Sequence, residues 1–242
     1  MALVLVTGAS GGLGHNAAAH LAGEGHDVVV HARNSDRLTD AEGAGSQGAG
    51  RWAGTVTGDL SRLDGIHDAA RQASAFGRFD AVIHNAGTMH APELITVNTI
   101  APYVLTALMD KPARLIYLSS SMHRTGSTDL ERLATGDASY SDTKLWVTAL
   151  ALACASRWEG TVSHAVDPGW VPTRMGGRSA SDDLAAGHQT QAWLATHPGV
   201  APATGGYWYH GRTQSPHPAA ADEAFQARLI DALERHTGVP LA

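Results

Sequence analysis

The chain commits to glycine almost at once. Leu3 to Val6 is a short apolar, β-branched run without polar alternation, and Thr7-Gly8-Ala9-Ser10-Gly11-Gly12-Leu13-Gly14 follows directly. Such a run reads as a strand covered on both faces, as in a parallel sheet, and the Ala-rich segment Asn16 to Ala22 reads as the helix after it. Strand, glycine turn and helix start together make a seat for a pyrophosphate, because glycines let the backbone come close and the helix N-terminus offers unpaired N–H groups with a partial positive charge. The spacing Gly12-x-Gly14-x-x-Ala17 fits the dinucleotide fingerprint that ends in Ala. Gly8, Ser10, Gly11, Gly12, Leu13 and Gly14 are therefore the candidate phosphate-binding residues. Gly8 to Gly12 also satisfies G-x-S-x-G, the nucleophile elbow of serine hydrolases, which would make Ser10 a nucleophile. An elbow normally follows a strand deep in the sheet order, whereas this loop has only six residues ahead of it, so the hydrolase reading ranks last.

Downstream, strands and helices alternate. Asp27 to His31 reads as the second strand, and its end, His31-Ala32-Arg33-Asn34, lacks the acid that accepts ribose hydroxyls in NAD-binding units. An arginine there suits the 2′-phosphate of NADP. Arg33, with Asn34 beside it, is the expected partner, and Arg37 a second one. Asp40 to Gly54 has the composition of a surface loop. Val56 to Asp59 reads as the third strand, ending in Asp59-Leu60, and Ser61 to Phe76 as a helix with Ser61 as N-cap and Asp64 at the third helical position. Phe79 to His84 reads as the fourth strand, closed by Asn85-Ala86-Gly87. This alternation predicts an α/β chain with a doubly wound, parallel sheet of Rossmann type and helices on both faces. One domain over residues 1–242 is the expected organisation. Ligands in such sheets bind at the carboxyl ends of the strands, where every motif above falls.

A second cluster lies between Ser119 and Lys144. Ala138 to Arg157 carries apolar residues at helical spacing without an interrupting Gly or Pro, so Tyr140 and Lys144, four apart, project from one face. A lysine there is expected to favour the phenolate and lower the tyrosine pKa from about 10.

Composition narrows the partners. The net charge of −6, with Lys and Arg dispersed, offers no patch for nucleic acid or an anionic membrane. The apolar runs are too short to cross a bilayer, and no signal-peptide pattern precedes Leu3, so a cytoplasmic protein is expected. Cys154 is the one cysteine, which excludes an intramolecular disulfide. His15, His20, His26 and His31 lack the spacing of a metal site, and no metal is expected.

With TGxxxGxG at Thr7 to Gly14, NAG at Asn85 to Gly87, and a serine followed by YxxxK at Tyr140 to Lys144, the chain resembles the short-chain dehydrogenase/reductase family along essentially its whole length. The resemblance implies a sheet of about seven strands and an oxidoreductase acting on CH–OH or C=O groups. It places the catalytic tetrad on Asn98, Ser120, Tyr140 and Lys144, with Tyr140 as acid or base, Ser120 on the reacting oxygen, Lys144 on Tyr140 and the nicotinamide ribose, and Asn98 on a water path. It puts Asp59 and Leu60 at adenine, Asn85, Ala86 and Gly87 under the nicotinamide side, and Pro168, Gly169, Val171 and Thr173, after a sixth strand Val162 to Val166, at the carboxamide. NADP(H) is the expected cofactor, with NAD(H) as the second. The partner is a small carbonyl or alcohol.

The tail, with Gly205 to Tyr209 as a strand and Asp222 to His236 as a terminal helix, resembles the retinol-dehydrogenase-like branch. Short intervals around Asn98 trim a helix that relatives use to pair subunits, which leaves homo-oligomer formation open. His123, Arg124 and Asp129 either line the cleft or are solvated. Arg174 to Ala186 is expected as a flap, and Met89, Met122, Trp170, Met175 and Trp193 as apolar cleft candidates for a medium-sized, uncharged substrate. The non-catalytic alternative is a cofactor sensor or scaffold on the same fold.

Overall fold

In the computed structural model the described residues are 1–37 and 51–241. Their strands form one sheet in the order β3-β2-β1-β4-β5-β6-β7-β8. β1 is Leu3–Val6, β2 Asp27–Ala32, β3 Arg51–Thr57, β4 Ala81–His84, β5 Arg114–Leu118, β6 Val162–Asp167, β7 Tyr207–Tyr209 and β8 Arg212–Gln214. All neighbours are parallel except β7 and β8. The chain leaves β1 toward β2 and β3, then returns to place β4 on the other side of β1, so the order reverses between β1 and β4. That reversal opens a crevice at the carboxyl ends of the two strands.

The unbroken apolar run of β1 is explained by its two coats. Successive side chains of a strand point to opposite faces, so Val4 and Val6 pack under α1 (Gly12–Gly23) and α6 (Leu184–Thr196), while Leu5 joins the opposite core. That core lies under α2 (Leu63–Ser74), α3 (Ala101–Leu108), α5 (Tyr140–Arg157) and the C-terminal α7 (Glu223–Thr237); the short α4 (Glu131–Thr135) precedes α5. α5 is buried without a break from Ser141 to Cys154, Trp146 among them. A helix covered all round needs no polar stripe, and each fully buried large side chain adds roughly 1.5–3 kcal/mol.

Several sequence expectations are corrected. Among the described residues the sheet holds eight strands, one beyond the expected count of about seven. The extra one follows a reversal at His210 (φ 45) and Gly211 (φ 75), two successive positive φ values of the kind that close tight hairpins. Its three residues are exposed and polar, so no apolar pattern announces them. Residues 51–54, expected in a loop, belong to β3: Arg51 pairs with Asp27 at the start of β2 (Nε–Oδ1 3.1 Å), and the Phe76 ring packs onto Gly54. The remainder of that expected loop, 40–50, lies outside the described residues, as does the side chain of Arg37. Ser61 is not a helix cap. Its N–H and hydroxyl both donate to Asp59 Oδ1 (3.0 and 2.8 Å), and α2 starts later, with Arg62 at the N-cap and no side-chain cap bond.

α5 begins where a capping box sets it. Ser139 Oγ accepts from Asp142 N (3.2 Å), and Asp142 Oδ2 accepts from Ser139 N (2.8 Å). This puts Tyr140 on the first turn. Among the described residues no helix is long and apolar enough to cross a membrane, and no group of three His, Cys, Asp or Glu side chains could hold a metal ion.

Candidate active site

A cleft of about 830 Å³ occupies the crevice and reaches from Arg33 and Asp59 at one end to Tyr140, Lys144 and Thr173 at the other. Its floor is the glycine loop. Gly8 has φ 65, and a Cβ there would stand 2.8 Å from Ala86 Cα, so only glycine lets the β1 and β4 loops touch. Asn85 Nδ2 donates to Thr7 O (2.9 Å) and Gly8 O (3.3 Å), and Ala86 N donates to Thr7 Oγ1 (3.0 Å). Gly14 sits behind, where a side chain would meet Gly8 O at 2.7 Å; it serves close packing of α1 rather than the cleft lining. Asn85 lines the cleft with its Oδ1 buried and without a partner among the described residues. Exposed loop N–H positions, room at Gly11 and an unspent polar atom fit a dinucleotide.

His31 is a site residue that sequence reasoning missed, since it reads as one more strand position. Gly8 N donates to its Nδ1 (3.1 Å), which leaves Nε2 to donate to Gly58 O (3.0 Å). Burial pushes its pKa down to about 4, against the Gly58 bond and the Asp59 charge. A neutral imidazole thus staples the glycine loop to the end of β3.

At the adenosine end Arg33 is half-exposed and engaged by two carboxylates, Asp59 (Nε–Oδ1 3.6 Å) and Glu93 (Nη2–Oε2 3.5 Å). Burial raises the Asp59 pKa, but the two Ser61 bonds with Arg33 and Arg62 outweigh it and hold the carboxyl below the usual range. Leu60 lines the cleft; Asn34 is exposed and outside the lining.

The catalytic candidates converge at the other end. Ser119 is buried, and its Oγ pairs with Thr148 Oγ1 (2.6 Å). Ser121 is exposed. Ser120 is the one of the three that hydrogen-bonds the Tyr140 side chain. His123, expected either to line the cleft or to be solvated, does neither and is fully buried beneath Ser120: His217 N donates to His123 Nε2 (2.9 Å), so Nδ1 carries the proton and donates to Ser120 O (2.7 Å). Burial pushes the His123 pKa down to about 4. Arg124 and Asp129 are exposed, on Gln214 and Arg132.

Lys144 is buried, donates to Leu118 O (2.7 Å), and holds Nζ 5.5 Å from the Tyr140 ring centroid. Its pKa is pushed down to about 8 by burial, with Asp167 opposing. The expectation of a depressed tyrosine is not met: burial pushes Tyr140 up to about 12, the Ser120 bond pulls down, and Asp167 pushes up. Desolvation of the phenolate is the largest cause.

Asn98 lies on a π turn, Thr96–Ile100, and its amide is fully engaged: Thr88 N donates to Oδ1 (2.8 Å), and Nδ2 donates to Thr88 O (2.9 Å) and Thr143 Oγ1 (3.1 Å). Gly87 lies between Asn98 and Lys144, a Cβ there standing 3.4 and 3.6 Å from Asn98 Oδ1 and Lys144 Nζ.

Beyond β6, Pro168 and Thr173 line the cleft while Gly169 and Val171 do not; Val171 is buried. Asp182, in the expected flap, accepts from Trp170 N (2.8 Å) and Tyr209 OH (3.3 Å), pinning the loop at its base. Met89 and Met175 line the cleft, and Trp170 and Met122 are exposed nearby in the chain. Trp193 is corrected: it packs on Trp208 and His197 behind the sheet. Among the described residues no histidine bonds Ser10, so the geometry offers no hydrolase dyad.

Comparison with known proteins follows the same lines. The family model described as short chain dehydrogenase matches residues 2–184. The short-chain dehydrogenase chyC of Penicillium rubens is 35% identical, over 100% of this chain and 99% of its own. Mouse retinol dehydrogenase 14 is 27% identical, over 98% and 86%. A crystal structure of an uncharacterized protein from Mycobacterium paratuberculosis superposes with a TM-score of 0.80 at 22% identity, over 100% and 95%, which shows the fold alone.

Proposed function

The chain belongs to the short-chain dehydrogenase/reductase family of NAD(P)-dependent oxidoreductases, and on that premise we propose that it moves a hydride between NADP(H) and an uncharged, largely apolar ketone, aldehyde or secondary alcohol. One observation carries the reading. Tyr140, protonated at neutral pH, is bonded to Ser120 and lies one helical turn from Lys144 at the inner end of a nucleotide-sized cleft.

In this reading Gly8 to Leu13 hold the pyrophosphate, with Gly14 packing behind them. Arg33 and Asn34 take the 2′-phosphate, and Asp59 and Leu60 flank adenine. Asn85 to Gly87, Tyr140 and Lys144 receive the nicotinamide ribose, and Pro168 to Thr173 the carboxamide. The cofactor supplies the hydride. Tyr140 donates its proton to the carbonyl oxygen as that oxygen gains charge, and takes it back in the oxidation. Ser120 donates a hydrogen bond to the same oxygen, where the bond strengthens with developing charge, and His123 keeps Ser120 in place. Lys144 carries a positive charge that favours the tyrosinate left behind. Asn98, whose side-chain donors are spent on Thr88 and Thr143, fixes the backbone beside Gly87 along which a water path resupplies the proton.

The exposed apolar side chains Met89, Trp170 and Met175 near the mouth support an uncharged substrate. Screening ketones, aldehydes and secondary alcohols with NADPH and NADP⁺ tests the assignment. Turnover confined to phosphorylated or carboxylated substrates would remove the apolar-pocket reading, and cofactor binding without turnover across the panel would favour a sensor.

A further inference from the structure

Arg33 is read as the 2′-phosphate partner, yet it is not a free cation. It joins two carboxylates from different parts of the chain. Asp59 has its own anchors, since both Ser61 donors hold its Oδ1 at 3.0 and 2.8 Å. Glu93 is different. Its carboxylate is joined to Arg33 (3.5 Å) across sixty residues of sequence, from the far bank of the cleft, and both side chains line that cleft. Glu93 also starts the segment that leads to Asn98, its carbonyl accepting from Val97 N (2.9 Å).

We propose that Glu93 is a specificity-determining residue, a latch carboxylate that occupies Arg33 across the adenosine end of the cleft and is displaced by the 2′-phosphate of NADP(H). The inference rests on the NADP reading above. A phosphate carries more charge than a carboxylate at neutral pH and binds the guanidinium fork bidentately, so it takes the place of Glu93. The pair it breaks is solvent-exposed and weak. NAD(H) brings no anion to Arg33 and leaves the pair closed. Among the described residues Arg33 pairs with Asp59 and Glu93, and Arg62 acts on Asp59. Of these two carboxylates, Glu93 is the one free to swing aside for a bound 2′-phosphate, whereas Asp59 stays tied to Ser61.

The test titrates NADPH and NADH by fluorescence against the full chain, wild type, Glu93→Gln, Arg33→Ala and the double variant. Glu93→Gln is expected to tighten NADPH roughly two- to fivefold, as releasing Arg33 from one exposed ion pair would. NADH affinity should stay within about twofold, as a pair it leaves closed predicts. The gain should shrink with added salt and vanish on the Arg33→Ala background. Unchanged or weaker NADPH binding in Glu93→Gln overturns the latch, and so does equal tightening of both cofactors, which would mean general repulsion of the pyrophosphate. Wild-type protein that binds NADH as tightly as NADPH would instead overturn the NADP reading, a result separate from any shift between variants.

Discussion

The floor of the cleft and its mouth are built by opposite means. At the floor, Gly8, His31, Gly58, Asn85 and Ala86 are tied by hydrogen bonds between 2.9 and 3.3 Å that pass through backbone atoms. Near the mouth, Met89, Trp170 and Met175 leave 46%, 54% and 45% of their surface in solvent. A backbone-laced floor is pre-organised for a partner whose shape never changes, so binding it costs little ordering. Thioethers and an aromatic rim adapt to partners that differ. The fold thus divides constancy and tolerance between two ends of one cavity.

The sharpest break in that picture would come from the inner end. Tyr140→Phe should lower kcat about a thousandfold, within the range for losing a general acid, while NADPH affinity measured by fluorescence changes little. Near-normal turnover would sink the catalytic assignment. Acid should loosen floor and catalytic end together. His31, His123 and His164 sit at about 4 and His84 at about 3, all lowered mainly by burial. Their folded pKa values lie below the unfolded value near 6.5, so the stability is whole above that pH and falls as the unfolded chain takes up protons between about 6.5 and 4. His31 alone accounts for about 3 kcal/mol. Urea midpoints across that range measure it, and a flat profile would contradict the buried neutral state.

Neighbouring serines separate chemistry from packing. Ser120→Ala should cost roughly ten- to a hundredfold in kcat with the urea midpoint nearly unchanged. Ser119→Ala should instead lose about 1 kcal/mol of stability by removing a buried hydrogen bond to Thr148, whose hydroxyl keeps its bond to Lys144 O (2.7 Å), and keep its kcat. Gly8→Ala forces a side chain into positive φ against Ala86 and should destabilise by roughly 1–3 kcal/mol with weaker NADPH binding. The smallest effect belongs to the mouth: Trp170→Ala should change kcat/KM a few-fold for bulky ketones and leave NADPH affinity alone, consistent with losing part of an adaptable rim.

Much of this was legible in the chain because its signals are local. A glycine loop between a strand and a helix, and a Tyr and Lys one turn apart, encode their geometry within a few residues. What stayed hidden is carried by long-range partners. His31 looks like strand filler until Gly8 and Gly58 arrive on either side of it. His123 becomes a prop for Ser120 only when His217, ninety-four residues on, donates to its other nitrogen. The Ser139 to Asp142 box is encoded within four residues, whereas the Tyr140 pKa depends on what covers α5, which no spacing encodes.

The π turn at Thr96–Ile100 is a local widening of the helix. An α-helix advances 100° per residue, and one π turn holds a surplus residue relative to that rhythm. Deleting a single residue between Thr96 and Ile100 would restore α pitch and remove the local widening that carries Asn98, while the flanking turns keep their phase relative to α3. Asn98 would then lose the widened turn from which its amide reaches Thr88 and Thr143. Natural variation in this stretch should therefore change residue identity far more readily than length.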